Sequence, residues 1–213
     1  MFAEDKIRLL MTLRGAGITD RKVMEAIETV RREDFVPDAL AYKAYENVAL
    51  PIGLGQTISQ PLMVALMTVA LEVDQTHKVL EVGTGSGYQA AILHELARRV
   101  YTVERHRALY RTATQRFEDL GLHRITTRYG DGSIGWREQA PFSRILVTAA
   151  ASDIPEVLCD QLAEGGVLVI PIGRNEPNQK VIKVRREADT FTESDVTPAY
   201  FVPLLPGVDS DGL

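Results

Sequence analysis

Cysteine is almost absent from this chain: Cys159 is the only one. A single thiol closes no intrachain disulfide and builds no thiolate cage for zinc, which fits a reducing compartment. Long apolar runs are missing too, since none approaches the ~18–20 residues that cross a bilayer. The opening residues MFAEDKIRLLMTLRG put acids ahead of a short mixed segment, without the basic start and apolar centre of a secretory signal. A cytoplasmic protein without a membrane partner is expected. Basic residues are the minority, 24 Lys+Arg against 29 Asp+Glu, for a formal net charge of −5. That balance lacks the positive footprint that neutralises a phosphate backbone, so nucleic acid is not an expected partner. What the 213 residues do contain is an ordinary globular share of hydrophobic residues, 45%, enough for one domain with a sizeable core.

The first third reads as helical. Ile7, Leu10 and Met11 keep a 3–4 spacing, and Val23, Ala26, Ile27 and Val30 repeat it after a Thr19-Asp20 start signal. A Gly/Pro-rich connector from Pro51 to Pro61 leads into a helix ending at Leu71. From residue 78 short β-rich runs alternate with helical stretches: KVLEV (78–82), a helix over 87–98, RVYTVE (99–104), a helix over 106–119, ITTRYG (125–130), RILVTAA (144–150), a helix starting near Ile154-Pro155, and GGVLVIPIG (165–173). This alternation predicts an α/β fold, a doubly wound and mostly parallel sheet. QKVIKVRRE and DTFTESDV follow without a helix between them and predict an antiparallel pair at the sheet edge.

The strand at 78–82 runs into Glu81-Val-Gly83-Thr84-Gly85-Ser-Gly87-Tyr88. Glycines at such a turn let the backbone bend sharply and let a ligand approach closely. A dinucleotide fingerprint would need a third glycine at position 88, which is Tyr88, and no G-x-x-x-x-G-K-[ST] is present. The remaining pattern, E-x-G-x-G-x-G, resembles motif I of class I S-adenosylmethionine-dependent methyltransferases. Glu104 closes the second strand seventeen residues after Gly87, where a nucleotide site puts an acid on the ribose hydroxyls. Gly130-Asp131-Gly132 follows the third strand, with Asp131 able to accept from an adenine amine and Gly132 passing beneath the ring. Taken singly, these are also a tight turn, a solvated acid and a common turn dipeptide. Together they predict a nucleoside cofactor, held by Glu81, Gly83, Thr84, Gly85, Gly87, Glu104, Arg105, Asp131 and Gly132.

Nothing in the chain points to amine methylation of a base: the [DNS]-P-P-[YFW] position reads Val147-Thr148-Ala-Ala-Ala151. No metal is expected either, because His77, His94, His106 and His123 are scattered and read as surface residues. The unusual segment is Gly53-Leu-Gly55-Gln56-Thr57-Ile58-Ser59-Gln60-Pro61. Two hydroxyls just ahead of a helix N-terminus suit a carboxylate, while Ser59 or Gln60 capping that helix is the plainer alternative.

Across about residues 19–207 the chain is similar to the protein-L-isoaspartate (D-aspartate) O-methyltransferase family. The similarity is carried by Phe35-Val-Pro37, Ala44-Tyr-Glu46-Asn47, the Pro51–Pro61 segment, the glycine loop, Gly130-Asp-Gly-x-x-Gly-Trp136, Ala140-Pro-Phe142, Val147–Ala151 and Ile154-Pro155. The resemblance implies a Rossmann-like methyltransferase sheet of atypical order at its C-terminal edge, S-adenosyl-L-methionine as cofactor, and isoaspartyl-containing proteins and peptides as partners. It implies Ser59 as the catalytic residue at the acceptor carboxylate, with Thr57, Ile58 and Thr148 on the substrate side. The methyl ester would then lead through a succinimide to repair. One domain is expected over 1–213, with 1–75 a helical substrate side, 76–173 the cofactor-binding core and 174–213 the edge strands, and a monomer can hold the whole site. Two positions depart from the family pattern, Leu62 and Ser143-Arg144, and they bear on substrate preference. They leave open a cofactor-binding regulator without turnover; the other alternative, an RNA or small-molecule methyltransferase sharing the cofactor half, would need base- or ligand-specific residues that the sequence does not offer.

Overall fold

The computed structural model describes residues 2–173, 179–188 and 190–209. Parts of the expected C-terminal region, 174–178, Asp189 and 210–213, lie outside the described residues. The helices are α1 (Ala3–Gly15), α2 (Arg21–Thr29), α3 (Pro61–Leu71), α4 (Tyr88–Leu96), α5 (Arg107–Asp119) and α6 (Glu156–Cys159). The strands are β1 (Leu50–Gly53), β2 (Gln56–Ile58), β3 (Lys78–Val82), β4 (Arg99–Glu104), β5 (Ile125–Tyr129), β6 (Phe142–Val147), β7 (Leu162–Ile172), β8 (Lys180–Glu187) and β9 (Thr190–Pro198).

Seven strands form one sheet in the order β5-β4-β3-β6-β7-β8-β9. The pairs among β3 to β7 are parallel, and β8 and β9 add antiparallel neighbours at one edge, as the helix-free tail predicts. From β3 the chain steps outward through β4 to β5, then returns to lay β6 against the other side of β3. That reversal opens a crevice at the carboxyl ends of β3 and β6, the place where open α/β sheets bind ligands.

Period-two alternation along the strands divides the core. Val79, Val100, Leu146 and Val169 join the cluster under α1 to α5, while Leu80, Val82, Val103 and Val147 join the cluster on the other face with Leu158 and Cys159 of α6. Glu81 and Thr102 fall in phase with Val79 and Val100, so both polar residues enter the first of these layers.

The N-terminal third differs from its prediction in two respects. In α1 the residues facing the core are Leu9 and Leu13, whereas Ile7 is 57% and Met11 67% exposed. A neighbouring stripe one turn long, supported by the partly buried Leu10, won the contact against α2 and α3. Residues 50–58 form an antiparallel β1-β2 hairpin where the sequence suggested only a connector; positive φ at Gly53, Leu54 and Gly55 makes the turn. In α2 the stripe is as expected, with Val23, Ala26 and Ile27 buried and Asp20 Oδ1 accepting from the Val23 amide over 3.0 Å. The helix expected near Ile154-Pro155 is only the short α6.

Candidate active site at the strand switch point

A cavity lies at this reversal. It is walled by the β2–α3 segment, the glycine loop, the end of β4, Gly132, Thr148 and Ala149 after β6, and Val202 to Leu205 of the C-terminal segment. Of the residues singled out from sequence, Thr57, Ile58, Ser59, Thr148, Gly83, Thr84, Gly85, Glu104, Arg105 and Gly132 all border it. Glu81, Gly87 and Asp131 do not.

At Gly83 and Gly87 the loop has no room for a Cβ. Gly83 has φ +98°, and a Cβ there would come within 2.3 Å of Thr148 Oγ1. Thr148 is the reason for that closeness: its hydroxyl reaches the carbonyls of Val82 at 3.0 Å and Gly83 at 2.7 Å, tying the β6 end to the loop. With its only proton so engaged, Thr148 offers the cavity oxygen lone pairs and a methyl group.

Glu104 is 4% exposed and accepts one backbone amide on each oxygen, Gly85 at 2.8 Å and His106 at 2.9 Å. A carboxylate has about four lone-pair positions, so this leaves capacity for two hydroxyl donors from the cavity. The amides fix the carboxylate's orientation, which is the requirement for gripping a ribose. Glu81 is fully buried beneath the loop. Thr102 Oγ1 donates to its Oε2 at 2.5 Å, Thr84 and Thr102 hydroxyls lie 2.6 Å apart, and Oε1 has no partner among the described residues. Burial, opposed by the Thr102 bond and helped by Glu104, pushes the Glu81 carboxyl up to about 8. This acid therefore reaches the cavity only through the Thr102–Thr84 hydroxyls.

Asp131 is also turned away. Its Oδ1 accepts from the Ser133 amide and hydroxyl at 2.8 and 2.6 Å, and its Oδ2 accepts from the Gly207 amide at 2.7 Å. Burial works against its charge, yet these bonds hold its carboxyl below the usual range. Asp131 thus anchors a C-terminal strap that the sequence reading placed only among the edge strands. Arg105 Nε donates to the Gly207 carbonyl at 3.2 Å, and the Tyr129 hydroxyl donates to the Asp209 carbonyl at 3.1 Å. Asp209 Oδ2 lies 2.7 Å from His106 Nδ1, close enough for an ion pair with a protonated ring although off the line of a hydrogen bond. His106 is buried and borders the cavity, which corrects its reading as a surface histidine; His123 alone of the four is exposed.

On the acceptor side, the Thr57 residue is exposed, the Ile58 side chain enters the core, and Ser59 is half-buried. Capping of α3 does not use Ser59 or Gln60. Instead Asn47 Oδ1, from the preceding turn, accepts from the Leu62 amide at 2.9 Å, and Gln60 makes no side-chain cap. The Ser59 hydroxyl is thereby left for the cavity. Leu62 packs partly buried against the core, and Arg144 Nε donates to the Glu72 carbonyl at 3.0 Å, so neither departure from the family pattern touches the cavity. Among the described residues, no group of three His, Cys, Asp or Glu side chains is placed to hold a metal.

Two residues carrying much of this geometry are not singled out by sequence reasoning. Arg32 is fully buried behind Ser59, and its Nη2 donates to the Ser59 carbonyl at 2.9 Å. His106 came into the cavity because it follows Glu104 at the turn into α5, a placement that spacing from Gly87 could have suggested.

Known proteins match this chain closely. The protein-L-isoaspartate O-methyltransferase of Rhodospirillum rubrum is 58% identical over 205 residues, covering 95% of this chain and 94% of the relative. That of Rhodospirillum centenum is 55% identical over 207 residues, covering 97% and 94%. A solved protein-L-isoaspartate O-methyltransferase superposes with a TM-score of 0.82 at 27% identity, covering 93% of this chain, which spans 65% of that longer one. A Plasmodium falciparum structure in complex with S-adenosyl-L-homocysteine shares the fold, with a TM-score of 0.79, 24% identity and coverage of 93% and 97%. A model of the family described as "Protein-L-isoaspartate(D-aspartate) O-methyltransferase (PCMT)" matches residues 4–209, and this chain belongs to that family.

Proposed function

We propose that this protein methylates the free carboxylate of L-isoaspartyl and D-aspartyl residues in damaged proteins and peptides, using S-adenosyl-L-methionine. The observation that supports it best is the arrangement around one cavity: an amide-fixed carboxylate at Glu104 on one side and the uncommitted Ser59 hydroxyl on the other. The cradle fits the cofactor, because the backbone of Gly83 to Gly85 and of Gly132 borders the cavity beside the Glu104 carboxylate. Glu104 would hold the ribose hydroxyls, with Gly83, Thr84, Gly85, Arg105 and Gly132 around it, while Glu81, Gly87 and Asp131 support that surface from behind. When bound, the cofactor supplies a methyl group activated by a sulfonium.

The chain's own task is then positioning. An isoaspartyl α-carboxylate has a pKa of roughly 3–4, so it is an ionised nucleophile at neutral pH and needs no general base. Thr57, Ile58, Ser59 and Thr148 form the acceptor wall, with the Ser59 hydroxyl donating to one carboxylate oxygen. Val202 to Leu205 line the cavity with largely apolar side chains, and closed over bound cofactor they would exclude water, which favours methyl transfer over loss to solvent. The ester then closes to a succinimide away from the enzyme.

In this reading the chain is one domain, with residues 1–75 on the acceptor side, 76–173 holding the cofactor and 174–213 completing the sheet edge and the strap. It acts as a cytoplasmic monomer. No helix among the described residues is long and apolar enough to cross a membrane. The test is transfer of labelled methyl to an isoaspartyl peptide and to its aspartyl twin. Label should enter the isoaspartyl peptide alone and leave under mild base, as an ester does. Equal labelling of both peptides, or base-stable label, would overturn the proposal.

A further inference from the structure

Arg32 is one of the largest fully buried side chains in the protein. A buried guanidinium normally faces a carboxylate, since an uncompensated charge away from water is costly. Arg32 faces none. Burial, the largest influence, pushes its pKa down, opposed by the neutral Tyr88 side chain, near enough to hydrogen-bond, and by Tyr45; Nε and Nη1 have no hydrogen-bond partner of good geometry among the described residues. The nearby Glu33 carboxylate is taken by the Tyr45 hydroxyl and by Arg31 Nε at 3.3 Å.

What Arg32 does hold is the acceptor segment. Nη2 donates to the Ser59 carbonyl at 2.9 Å and reaches the Val48 carbonyl at 3.5 Å. Its guanidinium carbon lies 4.8 Å from the centre of the Tyr88 ring, which begins α4 directly after the glycine loop. Ser59 and Tyr88 both border the cavity and Arg32 does not. The cation therefore sits one residue behind the wall, joined to both halves of the site.

Resting on the carboxylate-acceptor reading above, we propose that Arg32 is a positioning residue whose buried, unpaired charge makes the Ser59 wall selective for an anionic acceptor. The segment from Gly53 to Pro61 carries no lysine or arginine, and the chain as a whole is acidic, so a substrate carboxylate needs a source of positive potential. Arg32 supplies it through a low-dielectric layer, where charge is poorly screened. The counter-charge missing in the free protein arrives with the substrate. Placing the cation behind Ser59 also keeps it from ion-pairing directly with the reacting oxygens and so dulling their nucleophilicity.

The experiment compares an isoaspartyl peptide with its α-carboxamide twin, both binding to enzyme saturated with S-adenosylhomocysteine, by calorimetry. Wild-type protein should prefer the carboxylate. Arg32→Met, close in apolar volume, should bind the carboxylate peptide about tenfold more weakly and the amide within twofold of wild type. Arg32→Lys keeps the charge and should keep the preference within threefold, which preserves the test if the methionine variant fails to fold. Equal losses on both peptides in either variant would mark a merely structural role and overturn the proposal, as would a lysine variant with no preference. A wild-type enzyme that binds neither peptide would overturn the acceptor reading itself, and this proposal with it.

Discussion

Glu81 and Thr102 are register partners across β3 and β4, and the Thr102 hydroxyl donates to one oxygen of a Glu81 carboxyl that water does not reach. Because burial raises Glu81 from an ordinary value of 4.5 to about 8, the folded chain keeps a proton between those pH values that the unfolded chain has released. Stability contributed by this group is complete below pH 4.5 and is lost as pH rises through 8. Glu81→Gln keeps the shape and cannot ionise. Its melting temperature should therefore gain on wild type from pH 5 to pH 8.5, by an amount equivalent to about 4 kcal/mol, close to three pH units at about 1.36 kcal/mol each. A constant difference across that range in thermal melts would show that Glu81 is ionised in the fold.

Gly83→Ala should be severe. The added methyl would meet Thr148 Oγ1 at 2.3 Å, on a backbone with φ +98°. Positive φ alone costs a non-glycine residue about 1–3 kcal/mol. Shortening Thr148 removes the collision and leaves the backbone penalty, so Gly83→Ala/Thr148→Ala should be more stable than the sum of its single variants predicts. Chemical denaturation of the four proteins in a double-mutant cycle measures that coupling; strict additivity would disprove the contact.

The glycine-loop side of the cavity is readable in the sequence because its determinants are local: glycines at fixed offsets after one strand, and an acid at the end of the next. The existence and order of the strands and the antiparallel tail are local too, since period-two alternation and absent helices need no tertiary information, although the 144–150 and 165–173 runs are observed at Phe142–Val147 and Leu162–Ile172. What local pattern does not encode is which of two adjacent stripes docks, and so Leu9 and Leu13 of α1 displace Ile7 and Met11 from the core. Nor does it encode partners distant along the chain. Asn47 caps α3 from fifteen residues upstream, Gly207 engages Asp131 across 76 positions, and Arg32 stands behind Ser59 across 27. Asp131 reads as an adenine ligand from its turn alone. Only the returning C-terminus shows that its oxygens serve the strap.

That strap should set the residence time of the cofactor. Asp131→Ala deletes the acceptor of the Gly207 amide and leaves Leu204 and Leu205 against the cavity with one fewer anchor. A hydrogen bond to a charged group contributes about 1.5–3 kcal/mol. S-adenosylhomocysteine should accordingly leave the variant at least about tenfold faster in stopped-flow displacement, with little change in association rate. An unchanged dissociation rate would mean that the strap does not close the cavity.

Ser59 and Glu104 face the same cavity from opposite sides of the chemistry, and their variants should separate cleanly. On the proposed assignment, Ser59→Ala removes a donor to the acceptor carboxylate and leaves the residues proposed to hold the nucleoside in place. Its kcat/KM for an isoaspartyl peptide should fall about 10–100-fold while affinity for S-adenosylhomocysteine stays within twofold. Glu104→Gln replaces the two-amide acceptor with a group that must present an NH2 to one of those amides, at Gly85 or His106. Cofactor affinity should then drop by a similar factor, and saturating cofactor should restore much of the rate. Calorimetry and steady-state kinetics on the two variants decide it: loss of cofactor binding in the serine variant would place Ser59 on the nucleoside side and reverse the assignment, because one hydroxyl cannot serve both ends of the cavity.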